Sequence, residues 1–135
     1  MKICGLTREN DAAVAIASGA DALGLIFFPQ SRRAVALEQA ASLADSVPAL
    51  VDLVGVFVDP SEAEVSNVLD RVPLTVLQFH GEETREHCER FGLPYIKAVR
   101  MRDEVDLDIV CDQHPSASAF LLDTYDPETV GGTGA

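Results

Sequence analysis

A thiol, a carboxylate, an imidazole and a guanidinium stand where apolar runs of this chain stop. Cys4 closes a strand-like segment that starts almost at Met1, just before Gly5. Gln78 and His80 come at the end of another run, ahead of Gly81, with Lys97 and Arg100 in and after a third. Asp123 follows Phe120-Leu121-Leu122, and Arg33 ends the stretch Phe28-Pro29-Gln30-Ser31-Arg32-Arg33. A thiolate favoured by nearby cations or dipoles is a base or a nucleophile. A carboxyl leaving a core strand, buried enough to keep its proton, is an acid. A guanidinium offers a fork that matches a carboxylate or phosphate. Gly131-Gly132-Thr133-Gly134 exposes backbone N–H groups that can wrap an anion or move as a lid. Each residue alone also has a plainer explanation. Cys4 fits a small buried hydrophobe, Asp123 a cap or turn, His80 a strand end bonded to backbone, Arg33 a solvated cation, and the glycine run a flexible tail.

Elements that position these groups follow from the apolar pattern. Runs at 2–6, 22–28, 51–58, 75–79, 95–99 and 119–122 are mostly continuous rather than alternating, as in strands covered on both faces. Helical stretches separate them. Thr7 is the expected N-cap of the first, with Glu9 and Asp11 in the first turn and Gly19 at its end. Asp59-Pro60-Ser61 opens another, in which Val65, Val68, Leu69 and Val72 form one apolar face. Further helices are predicted over 36–46, 82–90 and 102–113. The alternation implies a parallel sheet, either open and doubly wound or closed as a (β/α)₈ barrel; pattern does not choose. In both, chemistry gathers at the carboxyl ends of strands. The turn Gly5-Leu6-Thr7 has neither a G-x-G-x-x-G nor a P-loop, which argues against a nucleotide-binding open sheet.

Composition bounds the rest. The 135 residues are expected to form one domain, without linkers or repeats. Twenty-two acidic against 10 basic residues give a net charge of −12, a field that repels nucleic acid and anionic membranes. Cys4, Cys88 and Cys111 lack metal-ligand spacing and form no disulfide framework, and no apolar run approaches a membrane span. A soluble, cytoplasmic protein is expected.

Read in order, the segments Lys2-Ile3-Cys4-Gly5-Leu6-Thr7, Gly19-Ala20-Asp21-Ala22-Leu23-Gly24-Leu25-Ile26-Phe27, Ser31-Arg32-Arg33, Gly55-Val56-Phe57-Val58, Leu77-Gln78-Phe79-His80-Gly81-Glu82, Ile96-Lys97-Ala98, Leu121-Leu122-Asp123 and Gly131-Gly132-Thr133-Gly134 resemble the phosphoribosylanthranilate isomerases. The resemblance implies a (β/α)₈ TIM barrel and an Amadori rearrangement in tryptophan biosynthesis. It also implies Cys4 as general base and Asp123 as general acid, with Arg33 holding the anthranilate carboxylate. Gln78, His80, Gly131 and Gly132 would line the substrate site. The implied partner is a phosphorylated sugar-anthranilate, and no cofactor or metal is implied, because the substrate's own imine is the electron sink.

A barrel of this kind runs to about 200 residues or more, so the expectation here is an incomplete one, with six strands present and the seventh and eighth missing. Its phosphate site commonly lies on the loops after those two strands. If the chain is truly truncated, self-association and little isomerase activity are expected. The alternative from another class is a non-catalytic half-barrel, acting as an interaction or swapped-oligomer module. Another phosphosugar barrel enzyme, such as an aldolase or epimerase, would want a Schiff-base lysine, for which Lys97 is the candidate, or a metal cluster.

Overall fold

In the computed structural model, which describes residues 1–124, eleven elements alternate strictly. They are β1 (Lys2–Cys4), α1 (Glu9–Ala17), β2 (Ala22–Ile26), α2 (Leu37–Asp45), β3 (Asp52–Phe57), α3 (Glu62–Leu69), β4 (Val76–Phe79), α4 (Arg85–Glu89), β5 (Tyr95–Met101), α5 (Leu107–Gln113) and β6 (Ala119–Thr124). All pairings are parallel and the strands neighbour one another in chain order, β1-β2-β3-β4-β5-β6. A doubly wound sheet reverses its order at a switch point; this sheet never does, so it is the barrel type.

Register fixes which side chains share a face. Cys4 pairs with Gly24, Gly24 with Val54, Val54 with Val76, Gln78 with Ile96, and Arg100 with Asp123. Because side chains alternate along a strand, Lys2, Cys4, Gln78, Arg100 and Asp123 lie on one side of the sheet. Leu23, Leu25, Leu53, Leu77, Phe79 and Tyr95 lie on the other, where they pack with Leu43 of α2 and Val65 and Val68 of α3 in the main apolar core. The first side is concave: Lys2 Nζ donates to Gln78 Oε1, although β1 and β4 are three strands apart. On a flat sheet that separation is about 14 Å, at ~4.8 Å per strand, and side chains standing perpendicular to the sheet do not span it. The bond forms because the sheet curls.

Helix starts depart from the sequence expectation in places. Arg8, not Thr7, is the N-cap residue of α1, and it makes no side-chain cap bond. Helix α4 begins at Arg85 under a Thr84 cap rather than at residue 82, since the Glu83 carboxylate is already committed to the N–H groups of Asp59 and Gly81. Helix α5 begins at Leu107 under Asp106, not at 102, because β5 runs on to Met101 to pair with β6. Ser61 and Glu64 form a capping box on α3, an arrangement typically worth ~1 kcal/mol.

Among the described residues β1 and β6 each have one neighbour, so both expose an edge, and on the helix-facing side of β6 Leu122 is 56% exposed. Such edges template pairing between chains. Residues 1–135 prepared alone are therefore expected to associate in sedimentation velocity runs as concentration rises. A monodisperse monomer throughout would contradict this.

Candidate active site

The base candidate is seated by two glycines. Gly24 stands beside Cys4, and a Cβ there would come within 2.7 Å of Sγ, so only glycine leaves the thiol its place. Gly5, at φ +77°, turns the chain off β1, and its N–H and that of Leu6 both donate to the Gly24 carbonyl. The Arg33 guanidinium lies across Gly5, where a Cβ would meet Nη1 at 2.5 Å. Nη1 makes a long 3.5 Å contact to the Cys4 carbonyl, and the Arg33 N–H donates to Ser31 Oγ at 3.2 Å. Thus the loop after β2 brings an exposed guanidinium onto the Cys4–Gly5 backbone, at the end of β1 that carries the half-buried thiol.

From β1 a polar chain crosses the concave face. Lys2 Nζ bonds Gln78 Oε1, and Gln78 Nε2 bonds His80 Nε2. His80 Nδ1 then faces Asp123 Oδ2 at 4.0 Å, with the two side chains only 8% and 12% exposed. Those two atoms are buried and have no hydrogen-bond partner among the described residues. The other carboxylate oxygen, Oδ1, accepts from the Thr124 N–H at 2.9 Å. Burial is the main force lowering the His80 pKa to about 4; Asp123 pulls it up, while Lys2, Lys97 and Arg100 push it down. His80 is therefore a neutral imidazole at physiological pH, and a carboxyl that has lost its proton here has an uncharged ring in front of it.

Lys97 is not part of this surface. It shares the helix-facing side with Phe79, and its Nζ donates to the Gly81 carbonyl at 2.7 Å and to Glu83 Oε1 at 3.2 Å. The Glu83–Lys97 pair is almost wholly buried. A lysine tied to a carboxylate and a backbone carbonyl behind the sheet is not placed to attack a substrate on the concave face, which argues against the aldolase alternative. Among the described residues no group of three His, Cys, Asp or Glu side chains could hold a metal ion, and no helix is long and apolar enough to cross a membrane. Cys88 is buried in the core with its thiol pushed up to about 12, chiefly by burial, so it is inert beside Cys4. Gly131 and Gly132 lie outside the described residues.

The structure thus brings Cys4 together with Arg33, and Gln78 and His80 together with Asp123, on one concave face. Sequence reasoning missed Lys2, Gly24 and Glu83 as parts of the arrangement. The i, i+2 spacing of Lys2 and Cys4 placed both on one side of the first strand and was the available signal. Nothing local marked Glu83.

Six parallel strands in chain order, with acid and base candidates at their carboxyl ends, define a (β/α)₈-barrel enzyme scaffold. The sequence model of N-(5'-phosphoribosyl)anthranilate isomerase matches residues 1–135, and the chain belongs to that family. It is 50% identical over 133 residues to the N-(5'-phosphoribosyl)anthranilate isomerase of Azotobacter vinelandii, covering 98% of this chain and 65% of that protein. The crystal structure of the Thermotoga maritima isomerase superposes with a TM-score of 0.86 at 36% identity, over 99% of this chain and 65% of that one. A phosphoribosyl anthranilate isomerase bound to reduced 1-(o-carboxyphenylamino)-1-deoxyribulose 5-phosphate gives 0.83 at 37%, over 93% and 64%. The chain spans about 65% of the length of the curated relatives it matches.

Neutral burial of His80 has a consequence for stability. The unfolded chain takes up this proton near pH 6.5 and the folded chain only near 4. Between those values the unfolded state holds more protons, so stability falls as pH drops through the window and levels off above it. In urea titrations His80→Gln is expected to be less acid-sensitive than wild type from pH 6.5 down to 4. Identical pH slopes for the two proteins would contradict the assignment.

Proposed function

We propose that the protein containing this chain isomerises N-(5-phosphoribosyl)anthranilate to 1-(2-carboxyphenylamino)-1-deoxyribulose 5-phosphate, an Amadori rearrangement, in cytoplasmic tryptophan biosynthesis, and that residues 1–135 belong to a single barrel domain. The observation that carries the reading is the placement of Cys4 with Arg33 at one end, and Asp123 at the other, of a single concave face.

Asp123 gives its proton to the furanose ring oxygen as the C1–O bond breaks, and the nitrogen lone pair forms a C1=N iminium. The positive charge acidifies the hydrogen on C2, which Cys4 removes as thiolate. The C2–H electron pair becomes the C1=C2 bond of an enolamine. Protonation at C1 and loss of the O2 proton then give the ketone and reset both groups. Electrons flow into the substrate's own iminium, so this route asks for no cofactor. Arg33, against the backbone at the end of β1, suits the anthranilate carboxylate, because its planar fork matches two oxygens. Gln78 and His80 form the floor, and the resemblance to the family assigns Gly131 and Gly132 to substrate binding as well. The 5-phosphate is expected on loops after the seventh and eighth strands, where barrels of this class commonly bind it.

Kinetics of the full-length protein test these roles. Cys4→Ser and Asp123→Asn are each expected to lower kcat by ~10²–10⁴-fold, the usual worth of a placed acid or base. Arg33→Met is expected to act mainly on KM. Near-normal turnover by both Cys4→Ser and Asp123→Asn would refute the mechanism.

A further inference from the structure

We infer that Lys2 and Gln78 are positioning residues that fix the tautomer of His80, making its Nδ1–H a donor aimed at Asp123. The inference deepens the proposed function and rests on Asp123 being the acid.

The direction of every bond in the chain follows from donor and acceptor inventory alone. A lysine ammonium only donates, so the group that Gln78 turns toward Lys2 Nζ must be its carbonyl oxygen. That leaves the amide NH₂ facing His80, and an NH₂ only donates. His80 Nε2 must then be the bare, accepting nitrogen. A neutral imidazole carries one proton, so it sits on Nδ1. Nδ1 is the atom that faces Asp123 Oδ2 at 4.0 Å, and neither atom has another partner among the described residues.

The groups surrounding the ring agree with this polarity. Lys2 and Arg100 share its concave face, Lys97 lies behind the sheet, and Asp123 is the carboxylate ahead of it. The polar chain therefore runs from a fixed positive charge on β1 to the carboxyl on β6. Its last contact must shorten by about 1 Å to become an N–H···O bond. A donor waiting at that point favours the carboxylate that remains once the proton has gone to the ring oxygen, and it orients Oδ2 while the Thr124 N–H holds Oδ1. This costs no charge of its own, because the ring stays neutral throughout. With the opposite tautomer, a lone pair would face the newly formed carboxylate and oppose proton delivery.

The test is ¹⁵N NMR of the histidine-labelled full-length protein, read alongside kinetics. Wild type at neutral pH is expected to show His80 protonated on Nδ1 and bare on Nε2. Gln78→Glu places an acceptor where the NH₂ stood, so the proton is expected to move to Nε2. With it kcat should fall roughly tenfold or more, the worth of a hydrogen bond to a charged group, with KM little changed. Lys2→Met removes the donor that holds the Gln78 carbonyl, so a mixture of Nδ1–H and Nε2–H is expected, and an unchanged Nδ1–H alone would overturn the role of Lys2. A protonated Nε2 in wild type overturns the inference without variants, and so does Gln78→Glu with a moved proton and unaltered kcat. Asp123→Asn with normal turnover, beside a wild-type Nδ1–H, would instead overturn the acid assignment.

Discussion

The contact between the Lys2 ammonium and the Gln78 amide, made across the inside of the curled sheet, is what the remaining geometry depends on. It joins the first strand to the fourth and is compatible only with a concave surface. Once that surface exists, the strand that carries the thiol and the strand that carries the carboxyl face a common interior instead of lying five strands apart on a plane. The helix-side core supplies the complementary push. Leu23, Leu53, Leu77, Phe79 and Tyr95 fill the convex side against α2 and α3, so the sheet bends toward its other face. Packing thus does the bending, and polar contacts register the strands across the gap.

Charge is arranged against the average. The chain carries −12 overall, yet among the described residues Lys2, Arg33 and Arg100 sit on the concave face and its rim with Asp123. The proposed substrate, with a carboxylate and a phosphate, would meet local positive potential inside a protein whose surface field repels polyanions. A buried ion pair, Lys97 with Glu83, serves a separate end. Glu83 accepts from the N–H groups of Asp59 and Gly81, and Lys97 holds the Gly81 carbonyl, so the loops after β3 and β4 are tied together beneath His80. The pair's work is to hold two loop backbones at fixed positions, and it faces away from the chemistry.

Much of this was legible in the residues. Continuous apolar runs separated by helix punctuation marked six strands within a few residues, and the side chains at their ends named the thiol and the carboxyl. What pattern left open was strand order, because periodicity reports which face a residue takes and not which strand it neighbours. For the same reason Lys97 read as a site residue: its side of the sheet depends on its register against Phe79, a non-local fact. The early start predicted for α4 failed because Glu83, a good helix former, is claimed by backbone donors from another loop. Lys2 was hidden by its type, since a lysine in a first strand is most simply read as solvated.

A crystal structure of the full-length protein with a reduced product analogue bound measures the central claim directly, the convergence of β1 and β6 on one sugar. The expected result has Cys4 Sγ and the Asp123 carboxyl touching the same ribose moiety from opposite sides, with the anthranilate carboxylate on Arg33. An analogue seated elsewhere, or contacting only one of the two groups, would contradict the claim.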